Sequence, residues 1–132
     1  MSRIVQLSRV SIYIIYFWFG FLKIVGVSPA EGLVNHLFDI TLSGFISFKL
    51  FFILFGLIEC VIGLVWLFPN HTKIALYVLI AHLTLTVVPI FALPRDTWAD
   101  ILTPTLVGQY IIKNLVLLST ALLIYNWNLK KD

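Results

Sequence analysis

Lys23, Glu59, His82 and Lys113 each stand inside a long apolar run, and they are the residues of this sequence with the most chemistry to offer. A charge at the centre of a membrane-spanning helix costs about 2.5–3.5 kcal/mol on the insertion scale, so a chain with no use for such groups should lack them. One per run suggests a shared interior site. Helical spacing extends each position into a stripe: Tyr16, Gly20 and Lys23; Gly56, Glu59, Cys60 and Gly63; Gln109, Lys113, Leu117 and Thr120. His82 shares a face with Pro89, which should kink its helix. The expected ligand cavity is lined by Tyr16, Lys23, Glu59, His82, Gln109, Tyr110 and Lys113. With both lysines charged and Glu59 ionised it carries one positive charge in excess, which suits an anionic, enolate-like or quinone-carbonyl ligand. The lysines would donate to a ligand oxygen, with Glu59 as counter-ion and His82 as proton relay.

Each of these residues also has a plainer reading. Lys23 lies about 14 residues, or roughly 21 Å, up its helix, close enough to the interface for its side chain to snorkel there. Glu59, taken by itself, could serve only a structural ion pair that holds the bundle together. His82 alone could be a hydrogen-bonded packing residue, since no second His or Asp at ligand spacing supports a metal. Cys60 reads as a small core residue, and as the single cysteine it can form neither an internal disulfide nor a CxxC redox pair. Gly56 and Gly63 read as packing residues that let a neighbouring backbone approach.

The elements that must position these groups follow from hydropathy. A hydrophobic fraction of 61% with 11% charged residues, and a mean hydropathy of +1.03, set the chain apart from soluble domains, in which about a quarter of residues are charged. Apolar segments run over about 9–27, 47–68, 73–93 and 106–127, each long enough to cross a ~30 Å hydrocarbon core. Backbone groups in lipid must satisfy one another, and runs this long without alternation mean helices, so the fold class is all-α: one domain of four transmembrane helices. The first run follows Arg3 and Arg9 as a signal peptide would, but Lys23 interrupts it and no A-x-A site follows, so it reads as an uncleaved span.

Four crossings put both termini on one side, together with Arg3, Arg9, Lys73, Lys130 and Lys131. The other side holds Arg95 and the boundary residue Lys49. By the positive-inside rule the termini face the cytoplasm, and the expected location is a bacterial inner membrane. The loops 28–46 and 94–105 then face outward. In the first, Ser28, Pro29 and Glu31 read as N-cap, first helical residue and capping-box acid of a short helix. Its Leu33, Val34, Leu37 and Phe38 share an apolar face opposite Asn35, His36 and Asp39. Trp98 in the second loop reads as an interface anchor. The nine Lys and Arg residues form no basic run, which points away from nucleic acid.

The runs YFWFGFLKIVGVSPA (Tyr16 to Ala30), GLIECVIG (Gly56 to Gly63) and GQYIIKNLVLL (Gly108 to Leu118) resemble the signature segments of the DoxX-like family of small four-helix membrane proteins. In that pattern G-x-x-K falls on Gly20 and Lys23, G-x-x-E on Gly56 and Glu59, and G-x-x-x-x-K-[DN] on Gly108, Lys113 and Asn114. The resemblance implies a link to membrane thiosulfate:quinone oxidoreduction, to oxidative-stress defence or to assembly of other membrane proteins. No nucleophile, metal set or cofactor motif marks an enzyme in its own right. The expected function is therefore an accessory subunit that binds a quinone-like or small anionic ligand beside a redox partner protein. The alternatives are an assembly factor and a small proton-coupled transporter, the latter needing a homo-oligomer because four helices without repeats are few for alternating access.

Overall fold

The computed structural model describes residues 2–130; Lys131, counted above among the terminal-side cations, lies outside them. Among the described residues the chain is all-α, with four helices long and apolar enough to cross a membrane. They are α1 (Arg3–Ile24), α3 (Phe48–Val65), α4 (Thr72–Ala92) and α6 (Leu106–Leu129). Between α1 and α3 lies α2 (Glu31–Thr41), and between α4 and α6 lie the single turn α5 (Pro94–Thr97) and a short hairpin, β1 (Trp98–Asp100) paired antiparallel with β2 (Thr103–Pro104).

Local chemistry explains where the helices begin. Ser2, Ser47 and Thr105 accept from the backbone N–H groups of Ile4, Leu50 and Gly108, satisfying donors that the first turn leaves free. The cap at Ser2 starts α1 six residues before the expected boundary, which draws Arg9 into the helix rather than leaving it at the membrane edge. In the first loop the expected cap is displaced: Ser28 accepts from Ala30 N at 3.2 Å and closes a turn, and α2 starts at Glu31 without a side-chain cap. Its apolar face still turns inward, with Phe38 buried against Phe48 and Phe51. In the second loop, Trp98 Nε1 donates to Ile90 O at 3.1 Å, so the indole fastens the hairpin to the end of α4.

The bundle is built from two tight pairs, α1 with α3 and α4 with α6. The first pair meets at glycines. A methyl group on Gly20 would fall 2.5 Å from Gly56 O and 2.8 Å from Cys60 N, and one on Gly63 would fall 3.0 Å from Tyr13 O. Without a hydrophobic drive between helices in lipid, such close backbone approach is what packs them. Gly20→Ala is accordingly expected to cost about 1–3 kcal/mol, because the obstacle is backbone that cannot rotate away. Reversible unfolding in mixed micelles should show this loss, while Gly32→Ala, in open space on α2, should leave stability within about 0.5 kcal/mol. Between the pairs, Ile12, Trp66, Leu79, Ala121 and Ile124 close a core in the half of the bundle nearer the termini.

Candidate functional site

Above that core, towards the side carrying α2 and the hairpin, the four helices deliver polar side chains to one another. Lys23, one residue before the end of α1, donates from Nζ to Glu59 Oε2 of α3 at 2.7 Å. The other carboxylate oxygen, Oε1, lies 3.1 Å from His82 Nε2 of α4. On the far side of the imidazole, Nδ1 lies 3.1 Å from the Tyr16 hydroxyl of α1. Lys23, Glu59, His82 and Tyr16 are 5%, 6%, 8% and 4% exposed, so the row is buried along its whole length.

The partners fix the direction of each bond. A carboxylate can only accept, so His82 Nε2 carries the hydrogen; a neutral ring then offers Nδ1 as acceptor, and Tyr16 O–H donates to it. Lys23 and Glu59 cancel, leaving the row electroneutral. The positive excess expected from the sequence therefore does not arise. The aromatic surroundings hold the row in place: Phe55 stacks on His82 with centroids 5.4 Å apart, and the Lys23 ammonium lies 5.5 Å from the centre of the same ring.

Three of the seven candidate residues are placed elsewhere. Gln109, Tyr110 and Lys113 are exposed on the outer face of α6, where the Lys113 ammonium lies 5.3 Å from the centroid of the Tyr110 ring. The reason is helical phase. Gly108 is pressed against Thr97 O, and Thr105 Oγ1 donates to Asp96 O at 2.7 Å, so α5 fixes the rotation of α6 and turns Lys113 away from the interior. The next residue, Asn114, points inward in its place and donates from Nδ2 to Thr86 Oγ1 at 3.3 Å.

Beside the row lies a cavity of about 150 Å³ whose polar lining comes from Tyr16, Glu59, His82, Thr86 and Asn114. A space of this size holds one six-membered ring or a few waters. Among the described residues no three His, Cys, Asp or Glu side chains are grouped to hold a metal ion. Comparison with known proteins returned nothing: no family model, no curated protein and no solved structure matches this chain.

A second buried polar cluster, which the sequence reading missed, sits at the terminal end. Arg9 is 2% exposed; it donates from Nη1 to Trp66 O at 3.1 Å and from Nη2 to Thr72 Oγ1 at 2.7 Å and Asn128 Oδ1 at 3.1 Å. Asn128 Nδ2 in turn donates to Pro69 O and Thr72 Oγ1. The available signal was Asn128 in the last turn of the fourth span, a side chain that can accept from a guanidinium one helix away.

Proposed function

We propose that this chain is an accessory membrane subunit of a redox system, holding the polar head of a quinone-like ligand in the cavity beside His82. The observation that carries this is the hydrogen-bonded row itself. Tyr16 O–H, His82 and Glu59 form a directed relay: a proton arriving at the Tyr16 oxygen lets the Tyr16 proton pass to His82 Nδ1 and the Nε2 proton pass to Glu59. Quinone chemistry couples protons to electrons, and the row supplies the proton half, with a partner redox protein exchanging the electrons. Electroneutrality favours a neutral carbonyl-bearing ring over the small anion that two free lysines would have suited.

The DoxX-like reading belongs to the same proposal. It is supported by the way Gly20, Lys23, Gly56 and Glu59 meet at one helix contact, with Asn114 at the cavity. Residence in a bacterial inner membrane with cytoplasmic termini rests on the exposed Arg3, Lys73 and Lys130 at the terminal end, against Lys49 and Arg95 among the acids of the loop end. An assembly role is the second reading, favoured by apolar side chains left bare on the loop side, Phe45 at 82% and Ile101 and Leu102 at 87% exposure. Proton-coupled transport is less supported, because the apolar core of Ile12, Leu79 and Ile124 stands between the two polar clusters.

Titration of the protein in nanodiscs with a short-chain ubiquinone analogue tests the proposal. Tyr16→Phe, which keeps the ring and removes the oxygen that can accept from a quinol hydroxyl, is expected to weaken binding of the reduced analogue about tenfold, the equivalent of one hydrogen bond of ~1.4 kcal/mol. Lys113→Ala should leave it unchanged. A wild-type protein that binds no quinone, or a Tyr16→Phe protein that binds as tightly as wild type, would overturn the reading.

A further inference from the structure

We infer that the cavity exchanges its occupant sideways with the lipid phase, through the seam between α1 and α6, and so selects a membrane-dissolved ring compound over a water-borne one. The inference rests on the ligand-site reading above and concerns the route and phase from which the ligand comes.

The walls of the cavity are unequal. Towards α3 it is shut by the glycine contacts that bring Gly20 onto Gly56 and Gly63 onto Tyr13 and Phe17. The seam between α3 and α4 is filled by Phe55 stacked on His82 and by the Glu59–His82 bond. Towards the termini the buried Ile12, Leu79, Ala121 and Ile124 seal it. The α4/α6 seam is crossed by the Asn114–Thr86 hydrogen bond; on the α1/α6 side Ile15 and Phe19 line the cavity from one helix and Asn114 and Leu117 from the other. Phe19 is 54% exposed, so this rim lies on the outer surface of the bundle.

A helix surface in the middle of a span faces hydrocarbon, and its rim here is apolar except for Asn114. A charged solute arriving by this path would have to cross the bilayer before reaching the site, whereas a quinone ring already dissolved in lipid would not. The polar groups wait behind the rim. Thr86 and Asn114 stand where an entering ring passes Leu117, and Tyr16 and His82 lie deeper. Asn114 is thus placed as a specificity-determining residue, offering an amide to the carbonyl of an incoming ring.

Closing the seam tests the route. In a Cys60→Ala background, Ile15→Cys and Leu117→Cys are joined by a short cleavable thiol cross-linker, with the joined product verified by mass. The probe is a short-chain ubiquinone analogue added to nanodiscs. The uptake rate of the open variant before cross-linking is the reference for its joined form. After cross-linking the uptake rate should fall at least tenfold, and cleavage of the linker should restore it. Unchanged uptake by the joined protein, while the open protein binds, overturns the lateral route and leaves the ligand site standing. Failure of the open variant and its parent to bind the probe overturns the site and the route together. Entry of benzoate, a charged ring delivered from water, into the joined protein at the open protein's rate would overturn the selection of a membrane-dissolved ring over a water-borne one.

Discussion

Glu59→Leu is expected to destabilise the bundle by about 3–5 kcal/mol, and Lys23→Met added to it is expected to return most of that loss. The single change leaves the Lys23 ammonium in an apolar interior, 5% exposed, with only the face of Phe55 as company. It also strips His82 Nε2 of its acceptor, which alone costs about 1–3 kcal/mol. The double change removes both charges and keeps their volume. Exchange of a buried ion pair for apolar groups is often neutral or better, so the residual deficit should be close to the His82 term alone. A double-mutant cycle in reversible unfolding, with coupling of at least about 2 kcal/mol between the two positions, is the expected result. Coupling below about 0.5 kcal/mol would mean that the pair does not hold the helices. Ligand binding separates stability from function: the double variant should be folded yet lack the relay, and a bound quinone should dissociate faster from it.

The bundle was legible because hydropathy is a property of whole segments. Each span has some twenty residues voting for it, and the largest shift of a boundary, at the start of α1, came from a cap, Ser2, that lies outside the apolar run. Tyr16, Lys23, Glu59 and His82 could be grouped because each follows the stripe of its own helix towards small or polar neighbours. Lys113 could not be placed by the same rule. Its stripe through Gln109 and Thr120 is polar enough to face inward, and what turns it outward is the contact of Gly108 with Thr97, a residue from a loop whose single turn has no periodicity to read. Charge balance followed from that rotation, so a local packing fact changed the kind of ligand the cavity suits. Arg9 was misread for a related reason. A cation near the end of a first span is an ordinary topology signal, and only the distant Thr72 and Asn128 show that this one is held inside.

That difference makes Arg9 the most discriminating position outside the proposed ligand site. A cation serving orientation alone could be replaced by lysine at no cost and by methionine at little, since Met keeps the apolar stem. The buried guanidinium does more. It reaches α3 through the carbonyl of Trp66, the first residue of α4 through Thr72, and α6 through Asn128, so it joins the terminal ends of all four spanning helices. None of the ion pairs among the described residues includes it, and its charge instead faces the carbonyl ends of α3 and α6, where helix dipoles favour cations. Hydrogen bonds to a charged donor contribute about 1.5–3 kcal/mol each and are not additive, so Arg9→Met should cost about 3–4 kcal/mol. Arg9→Lys should recover less than half of that, because one ammonium cannot reproduce a planar fork that serves three acceptors on different helices. Asn128→Ala should cost about 1–2 kcal/mol and be strongly non-additive with Arg9→Met, since both act through Thr72. Affinity of the folded Arg9→Lys protein for the proposed quinone-like ligand should match wild type, because Ile12, Leu79, Ala121 and Ile124 separate the clamp from the cavity. A lysine variant as stable as wild type would return Arg9 to a topology signal; a fall in its affinity would mean that the two polar clusters communicate through the core.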